Sequence, residues 1–358
     1  MLAVCFITNE RHLSLAVVAA RQAEKFKSSA DIHIFIEDAG FDLARLEVLS
    51  RQHAHHFHLN ELSRFIPDGL PQNERWPSLT FGRLFLANVL QGYDRILYLD
   101  NDILVVRDYS KLVDIEFGDA ALAAVTDFSV LYKISDPEKF GGMQWSDWFR
   151  RIGKKHNTYF NSGVLLINPS KWLAEKPHAS LNRFFSEYGY WARMYDQDFL
   201  NWFFDGKWLE LSPRWNFPGY FFGLGFEDTL KPTFLHFYGS RVPWRNFPFQ
   251  VEHRRFARAY ASLCEEVGLQ FSDLPNSGYS RDIVWGYLQR IYLKLLSFVF
   301  KPKLALRRWK RRSAVLQSYF DDHQLFVDGE VVASNRAARP VYVGNKFFDM
   351  RWVKDLDL

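Results

Sequence analysis

Short apolar runs bounded by polar residues alternate with stretches of helical periodicity along the first half of the chain. Residues 2–8 (LAVCFIT) read as a strand, Leu13–Phe26 as a helix, Asp31–Ile36 as a second strand and Leu43–Gln52 as a second helix. This alternation predicts βαβ units with right-handed crossovers in a parallel sheet, an α/β fold. His53, His55, His56 and His58 alternate around Phe57 and Leu59, which fits an edge strand better than a metal site. Residues 76–90 predict a helix with Arg83 one turn inside it, and residues 95–106 (RILYLDNDILVV) a buried strand ending on Asp100, with Asp102 two positions on. Residues 120–127 read as a strand ending on Asp127, and residues 128–158 as a long irregular insertion of the kind that acts as a lid. Asn161, Ser162 and Gly163 read as a turn feeding a strand at 164–167, with Pro169 opening the next helix. Residues 195–204 place Asp196, Gln197 and Asp198 at a helix start, and residues 232–244 form a strand that delivers His236.

Composition adds scale. The chain has 358 residues, 48% apolar and 17% aromatic, which predicts one large domain with an appendage. An aromatic excess serves sugar faces, interfaces or membrane boundaries as well as cores. Two cysteines, Cys5 and Cys264, make no disulfide framework and fit a reducing cytosol. The first apolar run lacks a basic lead and turns polar by Thr8, so it reads as a strand and not as a signal peptide.

Charge divides the chain. Residues 281–315 hold ten Lys and Arg against one acid, Asp282, leaving −5 for the rest of a chain whose total is +4. One basic segment on a mildly acidic globule predicts an anionic surface as partner and no nucleic acid. Residues 283–300 are apolar enough to suggest a span, but Arg290 and Lys294 at the centre would each cost about 2.5–3.5 kcal/mol to insert. With residues 301–312 (KPKLALRRWKRR) they read as an amphipathic, basic-aromatic segment lying on an anionic membrane, the alternative being a docked helix with a solvated tail. The expected division is a catalytic domain at 1–260, a helical basic segment at 261–319 and a small β appendage at 320–358, where Asp328-Gly329 signals a hairpin turn.

The chemistry centres on Asp100 and Asp102. At i and i+2 of an extended chain both point to one face, and two adjacent carboxylates repel unless a cation lies between them. At the carboxyl end of a parallel strand that cation is a metal holding a phosphate. The plainer reading makes Asp100 a strand cap and Asp102 a solvated side chain. Capping would also explain Asp196, though not three consecutive polar residues against so apolar a helix. A single His236 after an apolar run is, by itself, more often a core histidine than a ligand.

Taken in order, YLDND (98–102), FNSGVLLIN (160–168), DQDFLN (196–201) and HFYG with PW (236–239 and 243–244) resemble glycosyltransferase family 8. These are retaining nucleotide-sugar transferases that include bacterial lipopolysaccharide galactosyl- and glucosyltransferases. Residues 80–84 are similar to the family's arginine-bearing helix, and the resemblance runs from residue 2 to about residue 250. It implies a GT-A-type doubly wound, mostly parallel sheet with flanking helices and the donor site at the strands' carboxyl ends. It implies Mn²⁺, in preference to Mg²⁺, on Asp100, Asp102 and His236. It implies a UDP-sugar donor near Thr8, Asn9, Asn101, Arg83, Asp127 and Asn161, with Gly239 close to the diphosphate. Asp196 would hold a donor-sugar hydroxyl and Gln197 would lie beneath the anomeric carbon.

An amide is a poor nucleophile, so retention at Gln197 is expected to proceed by same-face attack of the acceptor hydroxyl rather than through a glycosyl-enzyme. Two departures from the family pattern stand out. Thr8, Asn9, Glu10 and Arg11 replace its usual Asp and Asn after the first strand, and Val242 replaces its usual Lys, leaving Arg241 to supply that charge. The expected activity is transfer of galactose or glucose to a lipopolysaccharide-like or other lipid-linked glycan, at the inner face of the cytoplasmic membrane. A metal-dependent nucleotide-sugar hydrolase and a catalytically silent nucleotide-sugar-binding protein are the alternatives.

Overall fold

The computed structural model describes residues 1–26, 29–73, 77–134, 145–156, 158–222, 226–238, 242–245, 251–275, 314–319, 324–325 and 332–333. The main sheet comprises β1 (Leu2–Thr8), β2 (Asp31–Ile36), β3 (His56–Leu59), β4 (Arg95–Leu99), β6 (Leu122–Thr126), β7 (Phe160–Ile167) and β8 (Leu209–Glu210), in the order β3-β2-β1-β4-β7-β6-β8. A smaller sheet runs β5-β10-β9, from β5 (Ile103–Val105), β9 (Phe217–Pro218) and β10 (Phe234–His236).

Pairings among β3, β2, β1 and β4 and between β6 and β8 are parallel, whereas β7 runs antiparallel to both β4 and β6. The sheet is therefore mostly parallel and doubly wound. Its strand order reverses at β1, where β4 takes the opposite flank from β2, and such a switch point opens a crevice at the carboxyl ends.

Central strands are buried on both faces, which is why their sequences are continuously apolar. In β1, Leu2, Val4 and Phe6 enter one core while Ala3, Cys5 and Ile7 enter the other. Each large apolar side chain so buried contributes about 1.5–3 kcal/mol. The histidine-rich β3 is an edge strand, with His58 hydrogen-bonded to His33 at 2.9 Å. Cys5 and Cys264 are buried free thiols.

Several elements differ from the sequence expectation. The expected helix at 76–90 is mostly a 3-10 helix, Ser78–Phe85, with only Leu86–Val89 α-helical. Gly82 lets this segment approach β1, since a Cβ there would lie 3.2 Å from Leu62 Cδ1 and 3.3 Å from Ile7 Cδ1. The insertion at 128–158 is not irregular throughout: it contains helices Phe128–Ile134 and Trp145–Arg151, and Val130, Trp148, Phe149, Ile152 and Tyr159 form a core of their own. Asn161, Ser162 and Gly163 are not a turn but lie within β7, which starts at Phe160.

Helix Val251–Glu266 passes residue 260, and Leu263, Leu274, Leu316 and Tyr319 are buried in the same core as β1. Gln324–Leu325 pairs antiparallel with Val332–Ala333. The basic segment at 281–312 and the Asp328-Gly329 turn lie outside the described residues. No helix among the described residues is long and apolar enough to cross a membrane.

Candidate active site

β4 ends at Leu99, and the Asp100 carbonyl accepts from Ile103 N at 3.1 Å. Asp100 and Asp102 therefore occupy a four-residue turn rather than one face of an extended strand, and the turn brings their carboxylates together. Asn101 anchors it, donating from Nδ2 to the Ile7 carbonyl at 2.9 Å at the end of β1. The chain then enters β5, which pairs antiparallel with β10 so that Ile103 lies opposite His236. That register carries the histidine to the turn.

The ligand atoms of Asp100, Asp102 and His236 lie within 4.8 Å of one another. His236 Nε2 is 3.1 Å from Asp102 Oδ1 and 3.9 Å from Asp100 Oδ2. It is buried, makes no hydrogen bond among the described residues, and faces two half-exposed carboxylates. Burial pulls the imidazole's affinity for protons down, but the nearby Asp102 and Asp100 charges outweigh this and raise its pKa. Gly163 keeps the space open: a Cβ there would press on His236 Cε1 and lie 2.7 Å from Asp100 Oδ2. A buried imidazole nitrogen facing two carboxylates, with no side chain filling the gap, fits a divalent ion that accepts oxygen and nitrogen.

Tyr98 and Arg83 hold the outer side of this group. Tyr98 donates to Asp100 Oδ1 at 2.5 Å, and the Arg83 guanidinium stacks 4.5 Å over the Tyr98 ring. The 3-10 winding aligns Thr80 with Arg83, whose Nε donates to the Thr80 carbonyl at 3.1 Å. Arg83 also reaches Asp100 at 3.3 Å and Asp196 at 3.2 Å, and its Nη1 donates to the Ser162 carbonyl at 2.7 Å. Asp196 is buried, with Oδ2 lacking a hydrogen bond among the described residues. Burial pushes its carboxyl pKa up to about 6, although Arg83 pulls it down.

Gln197 is held at both ends. Its Oε1 accepts from Ser162 N at 2.9 Å and Ser162 Oγ at 3.3 Å, and its Nε2 donates to Asp127 Oδ2 at 3.1 Å. Asp127 is similarly engaged: Oδ1 accepts from Ser129 N, Ser129 Oγ and Val130 N, and Oδ2 also from Asn161 Nδ2 at 3.2 Å. Asp198 turns away from the crevice, accepting from Tyr159 Oη at 2.5 Å and from the Arg193 and Met194 N–H groups. It locks the segment that leads into helix Tyr195–Phe203.

Thr8 is buried at the end of β1, and the Asn9 side chain accepts from His12 N at 3.2 Å, capping the short helix Glu10–His12. Gly239 and Arg241 lie outside the described residues. The structure brings Asp100, Asp102, His236, Arg83, Asp196, Gln197, Asp127 and Asn161 into one hydrogen-bonded or charge-paired group.

The sequence motifs assign no role to Tyr98, Ser162 or Asn216, which the structure places at the site. Asn216 accepts from His236 Nδ1 at 2.8 Å. Its only local signal is a polar residue in an aromatic stretch, Trp215-Asn216-Phe217, the same anomaly that marked Asp196.

A doubly wound sheet with an Asp-x-Asp turn and a histidine at its switch point defines a GT-A-type glycosyltransferase fold. The solved galactosyltransferase LgtC, in complex with donor and acceptor sugar analogues, superposes with a TM-score of 0.59 at 25% identity over 73% of this chain and 95% of its own. Residues 3–247 match Glycosyl transferase family 8, and the chain belongs to that family. It is 27% identical over 255 residues to lipopolysaccharide 1,3-galactosyltransferase of Salmonella typhimurium, covering 66% of this chain and 69% of the relative. It is 31% identical over 180 residues to general stress protein A of Bacillus subtilis, covering 46% of this chain. It is 26% identical over 205 residues to glycosyltransferase GlyF of Streptococcus pneumoniae, covering 54% of this chain. The matches span 58% and 45% of the length of these last two relatives.

Proposed function

We propose that this chain is a retaining hexosyltransferase that takes galactose or glucose from a UDP-sugar and passes it to a glycan acceptor, lipopolysaccharide or another lipid-linked surface glycan. The observation that carries this reading is the meeting of His236 Nε2 with both carboxylates of the Asp100–Asp102 turn in the switch-point crevice. Asp100, Asp102 and His236 would hold a divalent ion, Mn²⁺ in preference to Mg²⁺, which when bound offsets the negative charge of a departing diphosphate. The Salmonella galactosyltransferase relative supports the choice of sugar and acceptor.

The side chains divide the remaining work. Arg83 adds fixed positive charge beside Asp100. Asp196 Oδ2, paired with Arg83 Nε at 3.2 Å, makes no hydrogen bond among the described residues and retains capacity to accept from a sugar hydroxyl. Gln197 Oε1 already accepts two hydrogen bonds from Ser162, and both oxygens of Asp127 are engaged, so neither offers a ready electron pair to the anomeric carbon. This supports same-face attack. The bond from the anomeric carbon to the phosphate oxygen breaks with its electron pair leaving on the diphosphate. The acceptor oxygen bonds to the same face, and its proton passes to the departing phosphate. Contact between the basic segment at 281–312 and an anionic membrane suits a lipid-linked acceptor.

The test is a panel of nucleotide sugars incubated with Mn²⁺ and truncated lipopolysaccharide. Transfer from UDP-galactose or UDP-glucose is expected. UDP release with no glycosylated product would assign hydrolysis instead, and a covalent sugar on Gln197, Asp196 or Asp127 would refute same-face attack. A high-salt wash that leaves the protein on inner membranes, or an absence of binding, would refute the electrostatic attachment.

A further inference from the structure

The register of β7 against β6 jumps between Asn161, paired with Val125, and Leu165, paired with Ala124. Residues 162–164 thus lack β6 partners. The Gly163 carbonyl accepts from Asp100 N at 2.8 Å on the β4 side, where the Asp100 carbonyl is already taken by Ile103 N and leaves the Gly163 N–H to another acceptor. The Ser162 and Gly163 N–H groups each turn to a side-chain amide: Ser162 N donates to Gln197 Oε1 at 2.9 Å and Gly163 N to Asn161 Oδ1 at 3.0 Å.

A backbone N–H can only donate, so these two bonds decide which end of each amide is oxygen. The other end of Gln197 is then Nε2, and the other end of Asn161 is Nδ2. Both donate to Asp127 Oδ2, at 3.1 Å and 3.2 Å. The consequence also runs the opposite way. Asn161 Oδ1 accepts a second bond at 2.8 Å from Asn216, which must present its Nδ2. The remaining Asn216 atom, Oδ1, faces His236 Nδ1 at 2.8 Å and can only accept. His236 must therefore carry a proton on Nδ1. When the ring is neutral, its lone pair sits on Nε2, the atom aimed at Asp102 and Asp100. All five residues, His236, Asn216, Asn161, Asp127 and Gln197, are at most 9% exposed, so water does not compete for these bonds.

We infer that Asn216 is a positioning residue that locks His236 in the Nδ1–H tautomer, its own amide being oriented through Asn161 by the Gly163 N–H. The ligand nitrogen is thereby ready before any metal arrives, and the Ser162 N–H orients the amide of Gln197 on the sugar side. Partners of this kind on a ligating histidine alter metal affinity by about 10–100-fold. The inference rests on the metal site proposed above, but its main readout needs neither metal nor donor.

Histidine ¹⁵N spectra of the metal-free protein at alkaline pH, with the His236 signals assigned by loss in His236→Gln, report the tautomer directly. Wild type is expected to show protonated Nδ1. Asn216→Leu, which cannot accept, is expected to shift His236 toward the Nε2–H form and to weaken Mn²⁺ binding by about 10–100-fold in calorimetry. Asn216→Asp keeps the acceptor and is expected to retain the Nδ1–H form and to bind Mn²⁺ more tightly than Asn216→Leu. An Nε2–H ring in wild type overturns the inference, as does an unchanged tautomer in Asn216→Leu. If Asn216→Leu does not fold, the wild-type and Asn216→Asp spectra decide. Failure of donor turnover in an enzyme with the expected tautomer would count against the transferase reading and leave this one standing.

Discussion

Replacing Gly163 by alanine puts one methyl group where the structure leaves no room. It would press on His236 Cε1 and lie 2.7 Å from Asp100 Oδ2 and 3.0 Å from Asn161 Oδ1. Non-bonded heavy atoms rest at about 3.5–4.0 Å, so something must move by close to 1 Å. The backbone is the least free to yield, because Asp100 N donates to the Gly163 carbonyl at 2.8 Å and Gly163 N is held by Asn161. His236 is fixed by the β5–β10 ladder and by Asn216.

The strain therefore spreads over two proposed metal ligands and Asn161, which holds the amide of Asn216 behind His236. Overpacking of this kind costs about 1–3 kcal/mol of stability. Displacing a ligand by about 1 Å costs on the order of 10²-fold in turnover. Gly163→Ala is expected to unfold at moderately lower temperature while losing most Mn²⁺ affinity and kcat/KM, with far-ultraviolet circular dichroism unchanged. Calorimetric Mn²⁺ titration, donor turnover and thermal melting measure the three effects on one preparation. Unaltered Mn²⁺ affinity would refute the claim that this glycine exists to admit His236 and Asp100.

Arg83→Lys removes the fork that reaches Asp100, Asp196 and Ser162 together; kcat/KM should fall by at least 10-fold or so, since one ammonium cannot replace the planar set. Tyr159→Phe deletes the buried 2.5 Å bond to Asp198 and should cost about 1–3 kcal/mol in urea unfolding, with no change in metal affinity. His33 is buried and bonded to His58 and Tyr93, and burial lowers its pKa to about 3. A group lowered on folding stabilises the fold fully above its unfolded pKa and loses that contribution as pH falls. Wild type should therefore weaken as pH drops from about 6.5 toward 3, by up to about 1.4 kcal/mol per pH unit for one proton. His33→Gln should flatten this slope in denaturant midpoints, and an unchanged slope would place the acid-sensitive group elsewhere.

The chain's local patterning determined the alternating βα order, the burial of β1 and β4 on both faces, the edge position of the histidine-rich strand and the candidacy of Asp100 and Asp102, while the ordered family motifs added His236, Asp196 and Gln197. These were legible because period, burial and motif are properties of neighbours in sequence. Whether Asp100 and Asp102 converge through a strand face or a turn was not, since that depends on the Asp100–Ile103 bond and on where β5 finds its partner. Nor could the residues alone reveal that Gly163 clears space for His236, or that Asn216 sets the polarity of the ring. Those facts arise from contacts between residues 20 to 73 positions apart, around a stretch of β7 that has no β6 partner. Hydrogen-bond direction passes from group to group only once the groups are packed together, so tertiary structure alone decides it.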